Sequence, residues 1–337
     1  MGQSILVTGS AGFVGSTLAY EFLNNGHEVV GVDNYSNSNS SRTDKLKQHF
    51  EKSFNFIQLD LASDTCMVEK VFSEFKPQIV CHYAGLKSVS ESDHDCVRYW
   101  ANNTFATINL LKQMERYKCL KLIFSSSAAV YGESVNDDIS ENAILNPMST
   151  YGKTKVVSEE IISDFAKKNS LSAVTFRFFN LLGSHKRKVF SESYENSDGI
   201  MANIIKSVLN TNRPLEIYGL NHATFDGTAE RDFIHIEDVI DAHLLAFDFL
   251  SKQSGHQIFN LGTGRSTSLL ELVEAFQSAT GQKVNYKFKP AISGELSRSC
   301  ANMSKLKEAM QWQSKKNLQD MCLDDFLSLK KQANKSK

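Results

Sequence analysis

Residues 5–15 read Ile5-Leu6-Val7-Thr8-Gly9-Ser10-Ala11-Gly12-Phe13-Val14-Gly15, a short apolar run followed by a glycine-rich turn. The apolar run predicts a buried strand, and a helical pattern then continues as far as Asn25-Gly26. A second apolar run, Val29-Val30-Gly31-Val32, ends at Asp33. In such a strand–helix–strand unit, glycines allow a tight turn and the close approach of a pyrophosphate to the helix N-terminus. The stretch therefore predicts a dinucleotide-binding fold.

Asp33 indicates which dinucleotide to expect. The glycine spacing is G-x-x-G-x-x-G and not G-x-G-x-x-G, and by itself it is also compatible with an ordinary turn. A carboxylate at the end of the second strand accepts hydrogen bonds from the adenosine ribose hydroxyls and repels a 2′-phosphate. The combination predicts NAD as the cofactor, in preference to NADP.

Strand-like and helical segments alternate as far as about residue 180. This alternation predicts an α/β fold, an NAD-binding Rossmann domain with a doubly wound parallel sheet. Beyond that point the pattern becomes irregular, with helices predicted over 199–209 and 236–250 and strands over 215–219 and 258–261. We expect a Rossmann domain of residues 1–180 with a return segment at about 233–262. Residues 181–232 and 263–333 should form a smaller, interwoven α/β domain for the substrate.

Tyr151 and Lys155 are four residues apart in a segment with a helical pattern, so they share one face of a helix. A phenol has a pKa of about 10, and a cation about 4 Å away in an effective dielectric of about 20 contributes on the order of 4 kcal/mol, or roughly three pKa units. This spacing by itself marks an ordinary helix surface more often than a catalytic pair. In a chain that also has the glycine turn and Asp33, it predicts an acid–base pair in which Lys155 lowers the pKa of Tyr151.

The composition excludes several classes of protein. The 337 residues are 41% hydrophobic and 22% charged, with a net charge of −1, which is typical of a soluble globular protein and disfavours nucleic acid or an anionic membrane as a partner. The sequence contains no run of about eighteen apolar residues, which is the length that a membrane-spanning helix needs. The cysteines show no metal-ligand spacing, so we expect no metal and a cytoplasmic protein with reduced thiols; they are Cys66, Cys81, Cys96, Cys119, Cys300 and Cys322.

With the glycine turn, Asp33, Ser127 and the Tyr151/Lys155 pair in one chain, the sequence resembles the extended short-chain dehydrogenase/reductases. Within them it is most similar to the UDP-glucose 4-epimerases (UDP-galactose 4-epimerases), over nearly the whole chain. The most specific matching segments are 83–89, 124–132, 151–155, 177–180 and 231–235. The resemblance also implies a homodimer formed through the helices predicted over 97–117 and 154–167.

The resemblance implies a cofactor site built from the glycine turn, the ends of the following strands and the Tyr151 helix. Ser127, Tyr151 and Lys155 would be catalytic, with Ser127 hydrogen-bonded to the sugar hydroxyl and Lys155 bound to the nicotinamide ribose. The NAD contacts that it implies are Gly9, Gly12, Phe13, Val14, Gly15, Asp33, Asn34, Asp60, Leu61, Tyr83, Ala84, Gly85, Lys87, Asn103, Ser125, Tyr151, Lys155 and Phe178.

For the UDP-sugar, the resemblance implies that Asn180 and Asn203 hold the sugar and phosphates, that 215–218 contacts the uracil and that Arg231 clamps the diphosphate. A planar guanidinium suits this role because it binds two phosphate oxygens at once. The implied substrate contacts are Lys87, Ser127, Tyr151, Asn180, Asn203, Leu215, Tyr218, Arg231, Arg298 and Ser299. The implied reaction is oxidation at C4, rotation of the 4-keto sugar and hydride return to the other face.

The chain departs from the family at a few positions. Ala291-Ile292 stand where these epimerases usually have a second diphosphate arginine, and Arg298 either replaces that charge or forms a surface salt bridge. Phe178 replaces a tyrosine beside the nicotinamide. Ser299 aligns with a gate that is a bulky tyrosine in enzymes restricted to plain hexoses. We therefore expect UDP-GlcNAc and UDP-GalNAc to be substrates in addition to, or in place of, UDP-glucose and UDP-galactose.

Three other functions remain open at this stage. A nucleotide-sugar 4,6-dehydratase needs an acid and a base after Ser127, where Ala128-Ala129 stand. A UDP-glucuronate 4-epimerase needs a cation for the sugar carboxylate, which His185-Lys186-Arg187-Lys188 could supply if this cluster is not simply a solvated loop. A non-catalytic NAD-sensing protein has no need of the Tyr151/Lys155 pair.

Overall fold

The structure is a computed structural model that describes residues 2–132, 138–185, 190, 199–210, 212–291 and 296–333. These residues divide into two compact units. The first comprises the described residues of Met1–Glu133, Ile144–Arg177 and Ala242–Phe259. The second comprises those of Ser134–Ala143, Phe178–Asp241 and Asn260–Lys337.

These boundaries differ from the predicted ones in two segments, for reasons visible in the hydrogen bonds. Residues 138–143 belong to the second unit, where the Ile139 N–H donates to the Cys300 carbonyl at 2.9 Å. The return to the first unit begins at Ala242 and not near 233. Asp238, before that point, accepts a 3.1 Å bond from Trp312 Nε1 through its carbonyl oxygen. Such long-range bonds leave no periodic pattern in the sequence.

As far as the end of the sixth strand, the elements follow the predicted alternation. They are β1 (Ser4–Thr8), α1 (Phe13–Asn24), β2 (Glu28–Asp33), α2 (Ser41–His49), β3 (Phe54–Gln58), α3 (Thr65–Phe75), β4 (Ile79–His82), α4 (Val89–His94), α5 (Cys96–Tyr99), a π-helix (Trp100–Phe105), α6 (Ala106–Arg116), β5 (Lys121–Ser127), a 3₁₀ turn (Ala128–Val130), α7 (Thr150–Asn169) and β6 (Ser172–Phe178).

The later elements follow one another in a less regular order. They are β7 (Asn180–Leu182), α8 (Ile200–Leu209), β8 (Leu215–Tyr218), β9 (Glu230–His235), α9 (Ile236–Lys252), β10 (Gly255–Leu261), β11 (Ser266–Ser268), α10 (Leu269–Thr280), β12 (Tyr286–Lys289), β13 (Arg298–Ser299), α11 (Ser304–Met310) and α12 (Leu318–Ala333). The prediction missed β7, β11, β12 and β13, because two to four residues are too few to show a period.

The main sheet has seven strands in the order β10-β6-β5-β4-β1-β2-β3. β1 is parallel to both β2 and β4, β2 is parallel to β3, and β4 is parallel to β5. The predicted Rossmann fold is therefore confirmed. The strand order reverses beside β1, where Thr8 is paired with His82 of β4. In open α/β sheets, ligands bind beyond the carboxyl ends of the strands at such a reversal.

Helices cover this sheet, and its central strands β1 and β4 are almost entirely buried, as expected for parallel strands. On one face Leu6, Val80 and Phe124 pack in a cluster with side chains of α3, α6 and α7. Phe22 of α1 and Phe247 of α9 make an edge-to-face contact of 4.8 Å between ring centres.

The helix predicted over 97–117 is divided into three segments. α5 and α6 are separated by a π-helix over Trp100–Phe105 that contains the predicted cofactor residue Asn103. π-Helical turns are frequent at functional sites because they re-aim a side chain within a helix.

In the second unit, β9 lies between β11 and β13 and also pairs with β7. A separate two-stranded sheet joins β8 and β12 in parallel. The core of this unit is formed mainly by α8, β8, α10 and α12, with residues such as Ile204, Ile217, Phe276 and Cys322 fully buried. None of the described helices is long and apolar enough to cross a membrane.

Candidate active site

The glycine turn before α1 is shaped by close backbone contacts. Gly9 has a φ of +70°, and a Cβ at this position would lie 2.7 Å from the Ala84 nitrogen. A Cβ at Gly15 would lie 2.2 Å from the Gly9 carbonyl oxygen. Gly12, the N-cap of α1, has no side chain, so α1 has no side-chain cap. The first N–H groups of the helix, from Phe13 and Val14, therefore remain suited to an anionic group.

Asp33 links the glycine turn to the segment after β2. Its carboxylate accepts hydrogen bonds from the Ala11 N–H at 3.0 Å, the Tyr35 N–H at 2.8 Å and the Ser38 hydroxyl at 3.1 Å. A carboxylate has about four lone-pair sites. One site therefore remains for a further donor, such as a ribose hydroxyl.

Asn34, Asp60 and Leu61 lie beyond β2 and β3, and their side chains are already engaged. Asn34 Nδ2 donates to Asp60 Oδ2 at 2.8 Å, and the other Asp60 oxygen accepts from the Ala62 N–H at 2.8 Å. The Leu61 side chain is buried in the core. The predicted adenine contact of Leu61 is therefore left to its backbone.

Asn103 holds the segment after β4 against α7. Its Oδ1 accepts from the Leu86 N–H at 2.8 Å, and its Nδ2 donates to the Leu86 carbonyl and to Thr154 Oγ1, both at 3.1 Å. These bonds occupy both polar atoms of the amide and order 83–87, which contains the predicted cofactor residues Tyr83, Ala84, Gly85 and Lys87. A direct contact of Asn103 with the cofactor stays a prediction.

Three consecutive serines at the carboxyl end of β5 meet three residues spaced four apart on α7. Lys155 Nζ donates to the Ser125 carbonyl at 2.8 Å, and the Ser126 hydroxyl donates to Glu159 Oε1 at 2.5 Å. The Ser127 hydroxyl hydrogen-bonds the Tyr151 phenol. The three predicted catalytic residues are thus brought together, and Glu159 joins them.

Gly152 allows this close approach of α7. A Cβ at Gly152 would lie 2.5 Å from the Ala129 carbonyl oxygen, in the turn that follows Ser127. The start of α7 is capped by Ser149, whose hydroxyl accepts from the Gly152 N–H at 3.1 Å. Together the cap and the glycine place Tyr151 in the first turn of the helix, beside Ser127.

The pKa of Tyr151 in the chain by itself is set mainly by burial. Burial raises the pKa of Tyr151 above 10.0, and the Ser127 hydrogen bond opposes it only in part. Lys155 lies 5.8 Å from the centre of the Tyr151 ring and 4.9 Å from that of Phe124. For the chain by itself the net shift is upward, because removing water from the phenolate outweighs the Ser127 hydrogen bond; a lowering of the Tyr151 pKa by Lys155 stays a prediction.

Lys155 itself is strongly perturbed. Burial lowers the pKa of its ammonium from 10.5 to about 8, while the Glu159 carboxylate acts in the opposite direction. A buried lysine beside a tyrosine, with its pKa lowered towards neutrality, is the kind of group found at catalytic sites.

A buried histidine beneath the site was not recognised from the sequence. His82 Nδ1 lies 2.8 Å from Thr8 Oγ1, and its Nε2 lies 3.1 Å from Thr107 Oγ1. Burial and the nearby Lys155 ammonium lower the pKa of His82 to about 3, so it is neutral at physiological pH. In the sequence, only the position of His82 at the end of a predicted strand indicated that it lies near the site.

In the second unit, two predicted substrate residues are neighbours across strands. Arg231 of β9 is paired in register with Ser299 of β13, and Glu230 is paired with Arg298. Arg231 donates to the carbonyls of Glu230 and Leu296, each at 2.8 Å. These bonds hold the Arg231 guanidinium against the backbone of Glu230 and Leu296.

Arg298 forms an ion pair, which was one of its two predicted roles. Its Nε donates to Glu230 Oε2 at 2.7 Å, and Glu230 also accepts from the Ser266 hydroxyl at 2.5 Å. The ion pair is mostly buried, with 30% of the Arg298 side chain and 9% of the Glu230 side chain exposed. It is therefore more enclosed than the predicted surface salt bridge, and a contact between Arg298 and a diphosphate stays a prediction.

Asp232 is a buried residue that the sequence analysis did not single out and that organises the surroundings of Arg231 and Ser299. Its buried carboxylate accepts from the Thr263 N–H and hydroxyl at 2.7 Å, and from the N–H groups of Gly264 and Ala301 at 2.9 and 3.2 Å. Its backbone carbonyl accepts from Asn180 Nδ2 at 3.1 Å. Asp232 thus holds the loop after β10 and the residues after Ser299 in place around β9.

The remaining predicted substrate residues lie on α8 and β8. Asn203 is half-buried on α8, and Leu215 has its side chain buried in the core. The Tyr218 hydroxyl donates to Glu216 Oε2 at 2.9 Å. Among the described strands, β8 pairs only with β12, so its backbone has one edge without a strand partner. A uracil contact of Leu215 would therefore involve this backbone.

Part of the predicted basic cluster lies outside the described residues, namely Lys186, Arg187 and Lys188, as does Ile292. His185 is described and fully buried, with Nε2 at 3.9 Å from Glu237 Oε1. It is therefore not part of a solvated loop. Among the described residues there is no group of His, Cys, Asp and Glu side chains that could hold a metal ion.

Comparison with known proteins identifies a matching family model and similar proteins that agree with it. The model of the NAD dependent epimerase/dehydratase family matches residues 5–262. The UDP-glucose 4-epimerase of Bacillus subtilis is 35% identical over 326 residues, which cover 96% of each chain.

Solved structures give the same result. A UDP-glucose-4-epimerase from Stenotrophomonas maltophila, crystallised with NAD and formylated UDP-arabinopyranose, has a TM-score of 0.94 at 33% identity and covers 99% of both chains. The UDP-Glc/GlcNAc 4-epimerase of Campylobacter jejuni has a TM-score of 0.84 at 31% identity, covering 98% of this chain and 100% of the other.

Proposed function

We propose, on the premise that this chain belongs to the NAD dependent epimerase/dehydratase family, that it is an NAD-dependent 4-epimerase of UDP-sugars. The observation that carries this proposal is the meeting of Ser127, Tyr151 and Lys155 at the carboxyl end of β5. These residues supply a hydroxyl donor, an acid–base group and a cation, which are the groups that removal of the proton from a sugar hydroxyl requires.

The residues present fit NAD. The close backbone contacts at Gly9 and Gly15 and the uncapped N-terminus of α1 suit a pyrophosphate, and the buried Asp33 suits a ribose without a 2′-phosphate. When bound, NAD supplies reversible hydride transfer. The protein positions it through these groups and through Lys155.

Tyr151 performs the proton transfer. Its ionised phenol takes the proton from the C4 hydroxyl of the sugar, and it returns a proton to C4–O when the other face of the sugar is presented. When the sugar is bound, Ser127 would turn its single O–H from the Tyr151 phenol to the same C4 oxygen. Because burial raises the pKa of Tyr151 in the chain alone, its ionisation depends on positive charge from both Lys155 and the oxidised cofactor.

The residues after Ser127 favour epimerisation over elimination. Ala128 and Ala129 form a 3₁₀ turn, and the Ala129 N–H donates to Ser127 Oγ at 3.2 Å. Neither side chain can act as the acid or base that loss of water requires. This supports a 4-epimerase and disfavours a 4,6-dehydratase.

The acetamido sugars UDP-GlcNAc and UDP-GalNAc belong to the proposed substrate range, in addition to the plain hexoses. The support is the small side chain of Ser299, the register partner of Arg231, at the position that aligns with a bulky tyrosine in enzymes restricted to plain hexoses. The similar enzyme of Campylobacter jejuni is described as acting on UDP-Glc and UDP-GlcNAc.

A homodimer and a cytoplasmic location are part of the same proposal. Val97 of α5 and Phe105 at the end of the π-helix are 74% and 56% exposed, and these exposed apolar side chains within one helical stretch support a second copy as the partner. The six cysteines are free, as expected in a reducing compartment.

The test is incubation of the purified protein with UDP-glucose, UDP-GlcNAc or UDP-glucuronate, followed by identification of the C4 epimer. The proposal expects conversion of the first two. No conversion of any of them would refute it. Conversion of UDP-glucuronate alone would assign the chain to the alternative epimerase.

A further inference from the structure

Glu159 extends the catalytic face of α7 by one more turn. Tyr151, Lys155 and Glu159 follow one another at intervals of four residues, so they share one helix face. Glu159 is buried and accepts the 2.5 Å hydrogen bond of Ser126, the residue between the two serines that bind Lys155 and Tyr151. The carboxylate therefore contacts the strand end that carries the catalytic contacts.

Glu159 is itself held in a fixed orientation. Arg177 of β6 binds it with two bonds, from Nε to Oε1 at 3.0 Å and from a terminal nitrogen to Oε2 at 2.6 Å. The other terminal nitrogen of Arg177 donates to the Tyr131 hydroxyl at 2.9 Å. A bidentate arginine–carboxylate pair fixes the plane of the carboxylate as well as its position.

Stability alone is a poor explanation for this arrangement. A buried ion pair is costly to desolvate, and well-packed apolar residues of similar volume often stabilise a fold equally well. What apolar residues cannot provide is an acceptor for Ser126 and a negative charge one turn from Lys155.

We propose that Glu159 is a positioning residue of the active site. Through Ser126 it holds the carboxyl end of β5 against α7, and so it sets the places of the Ser125 carbonyl and the Ser127 hydroxyl relative to Lys155 and Tyr151. Its charge also keeps the buried Lys155 protonated.

Other charged and titratable groups face Lys155 and have to be considered in any pH measurement. They are Tyr151 and Glu159 on α7, His82 on β4 and, behind Glu159, Arg177 on β6. His82 is neutral above a pH of about 3, and Arg177 keeps its charge at every accessible pH. Glu159 is the only carboxylate among these groups. Replacing it therefore removes the carboxylate charge that favours the protonated form of Lys155.

The test compares Glu159→Gln, Ser126→Ala and the control Glu160→Gln, which changes the adjacent, exposed carboxylate of α7. Lys155 is titrated by NMR in protein with labelled lysine, its signal being assigned by its loss in Lys155→Met. We expect Glu159→Gln to lower the Lys155 pKa by about one unit, and Ser126→Ala and Glu160→Gln to leave it unchanged.

The kinetic readout separates positioning from stability. Ser126→Ala should lower kcat about tenfold with little change in KM, because it frees the strand end without altering any charge. Glu159→Gln should in addition move the alkaline fall of kcat to lower pH by about one unit. If both variants keep wild-type kcat and differ only in Tm, the proposal is overturned. If Glu159→Gln does not fold, Ser126→Ala decides in the same way.

The kinetic part rests on the proposed epimerase function, whereas the NMR titration does not. If the wild-type protein converts no UDP-sugar, the proposed function fails while the Lys155 titration still tests the role of Glu159. An unchanged Lys155 pKa in Glu159→Gln refutes the electrostatic role, whatever the substrate.

Discussion

Lys155 donates a 2.8 Å hydrogen bond from Nζ to the carbonyl oxygen of Ser125. The bond directs the ammonium to the end of β5, 5.8 Å from the centre of the Tyr151 ring. Lys155 is therefore bound to the end of β5, and it is not paired with the Tyr151 phenol alone. Tyr151 is expected to ionise only when further positive charge is present.

The Tyr151 hydroxyl should be essential for turnover but not for cofactor binding. Tyr151→Phe keeps the ring and removes the acid–base group, so we expect NAD to remain bound and kcat to fall by about three orders of magnitude. The measurements are NAD content and the rate of C4 epimer formation. Near-normal turnover in this variant would be incompatible with the assignment.

The glycine turn should tolerate a methyl group at Gly12 far better than at Gly15. A Cβ at Gly15 would lie 2.2 Å from the Gly9 carbonyl oxygen, but a Cβ at Gly12 would lie 3.2 Å from it. Gly15→Ala should therefore lower NAD affinity by about a hundredfold or more, and Gly12→Ala by much less. Equal affinities of the two variants, measured by calorimetry, would contradict this explanation of the turn.

His82 should make the fold sensitive to acid. Its pKa is about 3 in the folded chain and 6.5 in the reference state, so the unfolded chain binds the extra proton between these values. Folding stability is therefore lost as the pH falls from about 6.5 towards 3, by at most about 1.4 kcal/mol per unit.

Urea unfolding at two pH values in this range measures the effect. His82→Gln should lose less stability on acidification than the wild type, whereas His49→Gln, which changes an exposed histidine, should behave like the wild type. Identical losses in the wild type and His82→Gln would show that another group is responsible.

Ser299 should control the size of the sugar that is accepted. Ser299→Tyr adds a ring next to Arg231, its register partner, and should abolish conversion of UDP-GlcNAc while sparing that of UDP-glucose. The ratio of kcat/KM for the two substrates is the relevant measurement, and we expect it to change by about a hundredfold. Equal loss on both substrates would refute the gate.

The exposed apolar residues before α6 should form the homodimer interface. A Val97→Asp/Phe105→Asp double variant should shift the protein to a monomer in analytical ultracentrifugation, because it places charges in a desolvated interface. The matched control is Phe225→Asp, which changes a fully exposed phenylalanine of the second unit. The control should sediment with the mass of the wild-type protein. If the double variant does so as well, the interface lies elsewhere.

Local spacing was sufficient to predict most of the first unit. The run from Ile5 to Gly15 followed by Asp33, and the Tyr151/Lys155 pair, are short-range patterns in which period and turn chemistry agree with the final fold. The strands and helices of the Rossmann sheet were therefore recognisable in order. The short strands of the second unit were not, because their partners are distant in sequence.

Only the tertiary structure decided how these groups act on one another. It brought Ser125, Ser126 and Ser127 against α7, and it placed Arg231 beside Ser299 across two strands. It also buried Tyr151, which raises the pKa of the phenol in the chain by itself. The physical reason is that spacing along a chain determines which side chains share a face, whereas desolvation and contacts through space depend on every element packed around them.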